Sequence, residues 1–270
     1  MKRRKALYTL LAILLISNTL LFSHEFWLMP DKFRVKVNEL FTLTFYVGED
    51  FTGEIWGNKK ERTLKLTHFT GEIKSDLTKL SIESDTYDIV LNFVNEGTLV
   101  LTLESKNSFI ALDAEKFNAY LKEDGIDDIY EFRKKDGDLD KPSKELYRRC
   151  AKTLVQVGTN TDNTFKKNTG MPLEIIPLQN PYTAKMGDKM TVKILFNGKP
   201  LKNKMVVAWN KTITTKTRKQ KLKTNNDGQV SFPLDQKGQW MISTVQMIPV
   251  IDNVDANYQS YWGNLTFEFE

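Results

Sequence analysis

His24, in the stretch LLFSHEFWLMP, is one of only two histidines in the chain, and it stands where an apolar run gives way to the rest of the sequence. A protease cut between Ser23 and His24 would leave this residue with both an imidazole and a free α-amine. The imidazole has an ordinary pKa of about 6.5 and the amine of about 8, so both shed protons near neutrality. Two nitrogens on one residue form a chelate suited to Cu(II), Ni(II) or Co(II), with the amide nitrogen of Glu25 in reach of a square-planar ion. The other imidazole, His68 in KLTHFTGE, is the only one available to complete a brace around the ion. Phe26 and Trp27 offer apolar surroundings that hold ligands in orientation. The plainer alternative makes His24 merely what the cut leaves, with Phe26, Trp27 and Leu28 pinning a first strand and His68 on a strand surface.

Other constellations are thinner. Glu49-Asp50 offers oxygen ligands or a solvated turn, and Asp127-Asp128 reads as the start of a helix. A hydrolytic triad would need His24 or His68 as its base, and no serine lies in a nucleophile elbow. There is no glycine-rich phosphate cradle and no Cys-x-x-Cys pair. Cys150, the single cysteine, recurs with Leu146 and Leu154 at helical spacing and reads as a small buried hydrophobe. Tyr258, Tyr261 and Trp262 in NYQSYWGN offer a platform for a sugar ring or a partner surface, or simply core.

The residues before His24 decide whether this chemistry exists. MKRRK followed by an uncharged run from Ala6 to Ser23 has the parts of a secretory signal peptide, with Ser23 and Leu21 at the cleavage positions. An uncleaved N-terminal anchor is the alternative; the run is barely long enough to span a bilayer. Of 39 Lys and Arg, four leave with the signal, so the mature chain sits about one charge from neutral against 34 Asp and Glu. That balance excludes nucleic acid as a partner, which needs concentrated basic surface. The one basic run, KTRKQKLKT, reads as an edge strand whose lysines block edge pairing. A lone cysteine excludes an internal disulfide framework.

From residue 33 to 112 the pattern is strand-like. FTLTFYV places Phe41, Leu43, Phe45 and Val47 on one face, and TLVLTLE repeats the alternation. From Asp113 the signal turns helical, with Asp113 as N-cap, Phe117, Tyr120 and Leu121 on one face, and Gly125 as the stop. DDIYEFRKKDG reads as a second helix and KPSKELYRRCAK as a third, capped by Ser143. Beyond Asn180-Pro181, strand-like runs alternate with Asn-Gly, Asp-Gly and Lys-Gly turns. The expected architecture is mainly β: a signal peptide over 1–23, an N-terminal antiparallel β-sandwich over 24–179 with a helical insertion at about 113–152, and an immunoglobulin- or transthyretin-like β-sandwich over 180–270.

Five stretches taken in order carry a resemblance: HEFWLMPDKFRV, ALDAEKFNAYLKEDGI, KPSKELYRRCAKTLVQVG, MPLEIIPLQNPYTAKMGDKMTVKILFNGKPL and STVQMIPVIDNVDANYQSYWGNLTFEF. Together they resemble a bacterial family of exported domains of unknown function, identified with the NikM-like periplasmic component of nickel or cobalt uptake. The resemblance implies an extracytoplasmic β-sandwich, metal cargo and an envelope metal transporter as partner, with no known reaction. The family pattern often places histidines where this chain has Gln246 and Asn210, a departure that bears on any ligand set. The expectation is a periplasmic, non-enzymatic binder of Ni, Co or Cu through His24, with His68 as a second metal ligand and no stable membrane span after cleavage. The alternatives are a recognition module binding a glycan or protein through the C-terminal aromatics, or a copper oxidase built on a His24–His68 brace.

Overall fold

The computed structural model describes residues 25–57, 59–84, 86–212, 216–251 and 255–270, so His24 and the leader lie outside the described residues. In chain order the first part holds β1 (Glu25–Pro30), β2 (Arg34–Val35), β3 (Phe41–Glu49), β4 (Thr52–Ile55), α1 (Lys59–Arg62), β5 (Thr63–Thr70), β6 (Ile73–Asp76), α2 (Thr78–Glu83), β7 (Ile89–Leu91), β8 (Gly97–Ser105) and β9 (Ser108–Leu112). Next come α3 (Ala114–Glu123), α4 (Asp127–Asp136) and β10 (Ser143–Val157). The last part holds β11 (Leu173–Pro177), β12 (Lys189–Phe196), β13 (Lys199–Pro200), β14 (Met205–Lys211), β15 (Arg218–Lys223), β16 (Gln229–Pro233), β17 (Gly238–Pro249) and β18 (Tyr258–Phe269).

The strands form three sheets, and the protein is mainly β. A ten-stranded sheet in the order β15-β14-β17-β18-β10-β8-β5-β6 carries β2 and β9 beside β10. A small sheet, β1-β3-β4 with β7 on β3, packs on one part of it; a third, β11-β12-β13 with β16 on β12, packs on its other face. The alternation read from FTLTFYV holds, with Phe41, Leu43 and Phe45 buried in the core between the small and large sheets. The basic run is the edge strand β15, as its lysines foretell.

The expected third helix is instead β10, a fifteen-residue strand. Leu146, Cys150 and Leu154 are four apart, a spacing that satisfies the two-residue period of a strand as well as the helical one. Cys150 and Leu154 face the core against the third sheet, while Ala151, Val155 and Val157 face the core against the small sheet. A strand covered on both faces reads as continuously apolar and loses its alternation. The helical insertion therefore shrinks to α3 and α4. Asp113 caps α3 as expected, its side chain accepting from the Lys116 backbone N–H, and Gly137 ends α4 in the left-handed conformation.

The change of pattern near residue 180 does not interrupt the large sheet. β18 lies antiparallel to β17 and parallel to β10, from Glu145–Tyr258 to Thr153–Thr266. α3 and α4 come from the first part of the chain yet pack Phe117, Tyr120, Leu121 and Ile129 on Val245, Met247 and Tyr258 from its end. A buried ion pair joins β10 to β11: Lys152 Nζ lies 2.5 Å from Glu174 Oε1, with the two side chains 0% and 1% exposed.

Candidate functional site

The first described residue of β1 is a glutamate at the head of an apolar strand, and several elements converge on it. Glu25 pairs with Gly48 at the start of the β1–β3 ladder. Phe26 anchors the strand edge-on to Trp56, 4.9 Å between ring centroids, and Trp27 stacks on Tyr46 and Phe51. Phe51 and Asp50 form the tip of the β3–β4 hairpin with left-handed φ values of 58° and 50°, a conformation costly for residues other than glycine. The tip is held from the far half of the chain: Lys211 Nζ donates to the Phe51 carbonyl and Thr217 Oγ1 to that of Asp50, each at 2.6 Å. Gly48 permits the tight return, since a Cβ there would fall 2.2 Å from the Thr52 carbonyl oxygen.

Between this hairpin tip, the C-terminal end of α3 and strands β14 and β15 lies a cavity of about 80 Å³. Carboxylates of Glu25, Glu49, Asp50, Glu123 and Asp124 line it together with Met205. Glu123 and Asp124 arrive at the end of α3, where the helix dipole is also negative. Lys219 and Lys221 stand on the same wall, Lys219 at 3.9 Å from Asp50 and Lys221 donating to the Glu123 carbonyl. Glu25 Oε1 accepts from Ser243 Oγ at 2.8 Å, and that hydroxyl accepts from Trp209 Nε1 at 3.0 Å. Burial pushes the Glu25 carboxyl up to about 7; the Ser243 bond and Arg149 oppose the shift, while Asp124 and Glu49 add to it. Such a pocket favours a cation. It presents carboxylate oxygens and one thioether beside the two lysine ammoniums.

A second buried carboxyl, Glu145, sits deeper. It accepts from Tyr120 OH at 3.1 Å and bonds Ser260 Oγ, and burial pushes it up to about 7 as well. Trp262 Nε1 donates to the same Ser260 hydroxyl, so this group braces the helices on the sheet.

His24, the first of the two expected ligands, lies outside the described residues, and Glu25 is the first residue described. His68 is elsewhere. It lies on β5 opposite Leu101, its ring edge-on to Phe93 at 4.8 Å, and its Nδ1 is buried without a hydrogen-bond partner. Burial holds its pKa below the ordinary value. β5 is four strand spacings from the β17 residue Ser243 in the large sheet, roughly 19 Å, so the structure does not bring His68 to Glu25. Among the described residues no group of three or more His, Cys, Asp or Glu is arranged to hold a metal ion. Asn210 pairs with Trp240 and is six residues along β17 from Gln246, roughly 20 Å, so these two positions do not share one site.

Of the remaining candidates, Glu49-Asp50 joins the pocket and Asp127-Asp128 opens α4. The C-terminal aromatics are engaged internally: Tyr258 stacks on Phe117, Trp262 on Tyr120, and Tyr261 meets Phe196 edge-on. Cys150 is buried, and burial pushes its thiol up to about 12, so it is an inert core residue. Sequence reasoning missed Glu25, Glu123 and Asp124. The one signal for Glu25 was a charge at the head of an otherwise apolar strand.

A mainly β, three-sheet protein with an acidic cavity at its first strand is the class defined by this geometry. The chain belongs to the DUF4198 family, a domain of unknown function whose model matches residues 21–248. No curated protein matches the chain. Among solved structures it is similar to the D0-D1 domain of intimin, at 14% identity over 91% of this chain and 98% of that one, with a TM-score of 0.21. Trypsin-activated alpha-2-macroglobulin from Escherichia coli gives 9% identity over 91% and 16%, TM-score 0.23. A marsupial T cell receptor gives 10% over 89% and 74%, TM-score 0.21. Likenesses at these scores carry no argument about function. No helix of the described residues is long and apolar enough to cross a membrane.

Proposed function

We propose that the protein is an exported, non-enzymatic binder of a divalent transition-metal cargo, nickel or cobalt foremost, that serves an envelope uptake system, the role implied by its resemblance to the NikM-like proteins. The supporting observation is the position of Glu25: a buried carboxyl crowded by Asp124 and Glu49, one residue after His24. With the leader removed, His24 would carry an amine and an imidazole, two nitrogens on the residue bonded to Glu25, whose carboxyl lines a pocket of five carboxylates and two lysines. A bound cation offsets the Asp124 and Glu49 fields and lets Glu25 ionise, so binding releases protons. Affinity falls in mild acid, where protons compete for the imidazole, the amine and Glu25. His68 takes no part in this site; the ligand set is His24 with the pocket's oxygens.

Calorimetry with Ni(II), Co(II) and Cu(II) on protein beginning at His24, beside protein carrying one extra N-terminal residue, tests this reading. Tight binding only by the form with a free His24 amine is expected. Equally tight binding by both forms, or none by either, overturns it.

A further inference from the structure

Among the described strands β9 pairs with β10 alone, so its other edge is free. The far side of β10 fixes which backbone groups of β9 face that edge. Lys144 gives its N–H to Asn257 Oδ1 and takes the Asn257 N–H on its carbonyl, so its peptide groups turn toward the β18 side. Those of Glu145 therefore turn toward β9 and its partner there, Ile110. Alternation along the strand then aims the N–H and C=O of Phe109 and of Ala111 away from β10, two donors and two acceptors in a row. Phe109 is 53% exposed beside them, and Ala111 is exposed as well.

Other strand edges of the molecule carry residues that discourage strand addition. β15 presents lysines, β6 has Lys74 and Asp76, and β13 and β16 end in Pro200 and Pro233. β9, with the sequence SFIAL, has neither charge nor proline. Its order also matches its own reverse. A two-fold axis through Ile110, perpendicular to the sheet, brings Phe109 of one copy opposite Ala111 of the other, a large ring beside a small residue on one face. Both such pairs are of the hydrogen-bonded kind, so the free groups of each copy answer those of the other. Exposed Lys106 precedes the strand, and exposed Asp113 and Glu115 follow it with Lys116 on Asp113, a net negative end. The same rotation sets each Lys106 toward the acidic end of the other copy. An unrelated extended peptide meets the backbone groups but not this matched order. We propose that β9 is a homodimer surface, at which two copies of the chain join their large sheets by antiparallel pairing of residues 108–112.

Sedimentation equilibrium tests this on protein beginning at His24, in buffer with EDTA so that no bound metal enters. A monomer–dimer equilibrium with a Kd on the order of 10 µM is expected, as suits a small contact. Hydrogen exchange in a peptide spanning residues 108–112 is expected to slow several-fold between about 1 µM and about 200 µM protein, as the Phe109 and Ala111 amides become paired. Phe109→Lys, at a position exposed in the single chain, is expected to weaken the dimer at least about tenfold while the unfolding transition stays in place. The exchange measurement uses the unaltered chain and decides the matter should that variant fold poorly. A monomer at every concentration up to about 200 µM, or a dimer with unchanged exchange over residues 108–112, overturns the proposal. So does a dimer that a folded Phe109→Lys variant forms just as tightly.

Discussion

Two buried carboxyl regions of this protein have opposite surroundings. At Glu174 the carboxylate receives the Lys152 ammonium, the Thr169 backbone N–H and hydroxyl, and the Gly170 N–H, every distance between 2.5 and 3.0 Å. At Glu25 one hydroxyl donor and a nearby guanidinium face two further carboxylates, and the carboxyl holds its proton to about pH 7. Compensated burial makes Glu174 a clasp between β10 and β11. Burial without full compensation makes Glu25 a place where a cation gains more than it would in water. The difference separates structure from candidate function in a chain where both residues are simply glutamates on apolar strands.

Removing one partner of the clasp should give the largest effect. Lys152→Met or Glu174→Leu alone is expected to cost about 3–5 kcal/mol in urea unfolding, because either leaves an unanswered buried charge, while the double variant recovers most of that loss. Single losses below about 1 kcal/mol would erase the contrast.

The pH dependence of stability comes next. Glu25 and Glu145 are both raised in the fold from an ordinary 4.5 to about 7. The folded state therefore holds extra protons between these values, and stability is greatest below pH 4.5 for these two groups and falls as pH rises through 7. Each contributes up to about 3 kcal/mol to that loss. Unfolding midpoints at pH 5 and pH 8 measure it, and Glu145→Gln should remove its share; a flat profile over that interval would contradict the uncompensated character of both sites.

The smallest expected effect distinguishes the two carboxyls themselves. Glu25→Gln keeps an acceptor for Ser243 but loses the charge, and is expected to lower Ni(II) affinity about tenfold, close to 1.4 kcal/mol, while raising stability at pH 8. Glu145→Gln should leave Ni(II) affinity unchanged, since Glu145 does not line the acidic cavity. Equal losses from both would show that the pocket at Glu25 has no special claim on the cation.

Much of the fold was legible. Phe41, Leu43 and Phe45 fell on one face as the alternation required, Asp113 capped its helix, and the lysine-rich run took the sheet edge, because each signal is carried by neighbours in sequence. The site was hardly legible. Glu49-Asp50 reads as oxygen ligands or a solvated turn, and Glu123-Asp124 draws no notice, until the hairpin tip and the end of α3 meet at Glu25. His68 reads as a partner for His24 by elimination alone, and strand order separates it from Glu25.

The sequence by itself determined a chain rich in β-strands, the two short helices after Asp113, and the chemical potential of a histidine at an expected cleavage point. Those are properties of composition and local period. Only the tertiary structure decided that residues 143–157 are a strand, that β18 returns beside β10, and that carboxylates distant in sequence share one cavity. A spacing of four fits helix and strand alike until a second face must be buried, and the cost of crowding like charges exists only once the chain has brought them together.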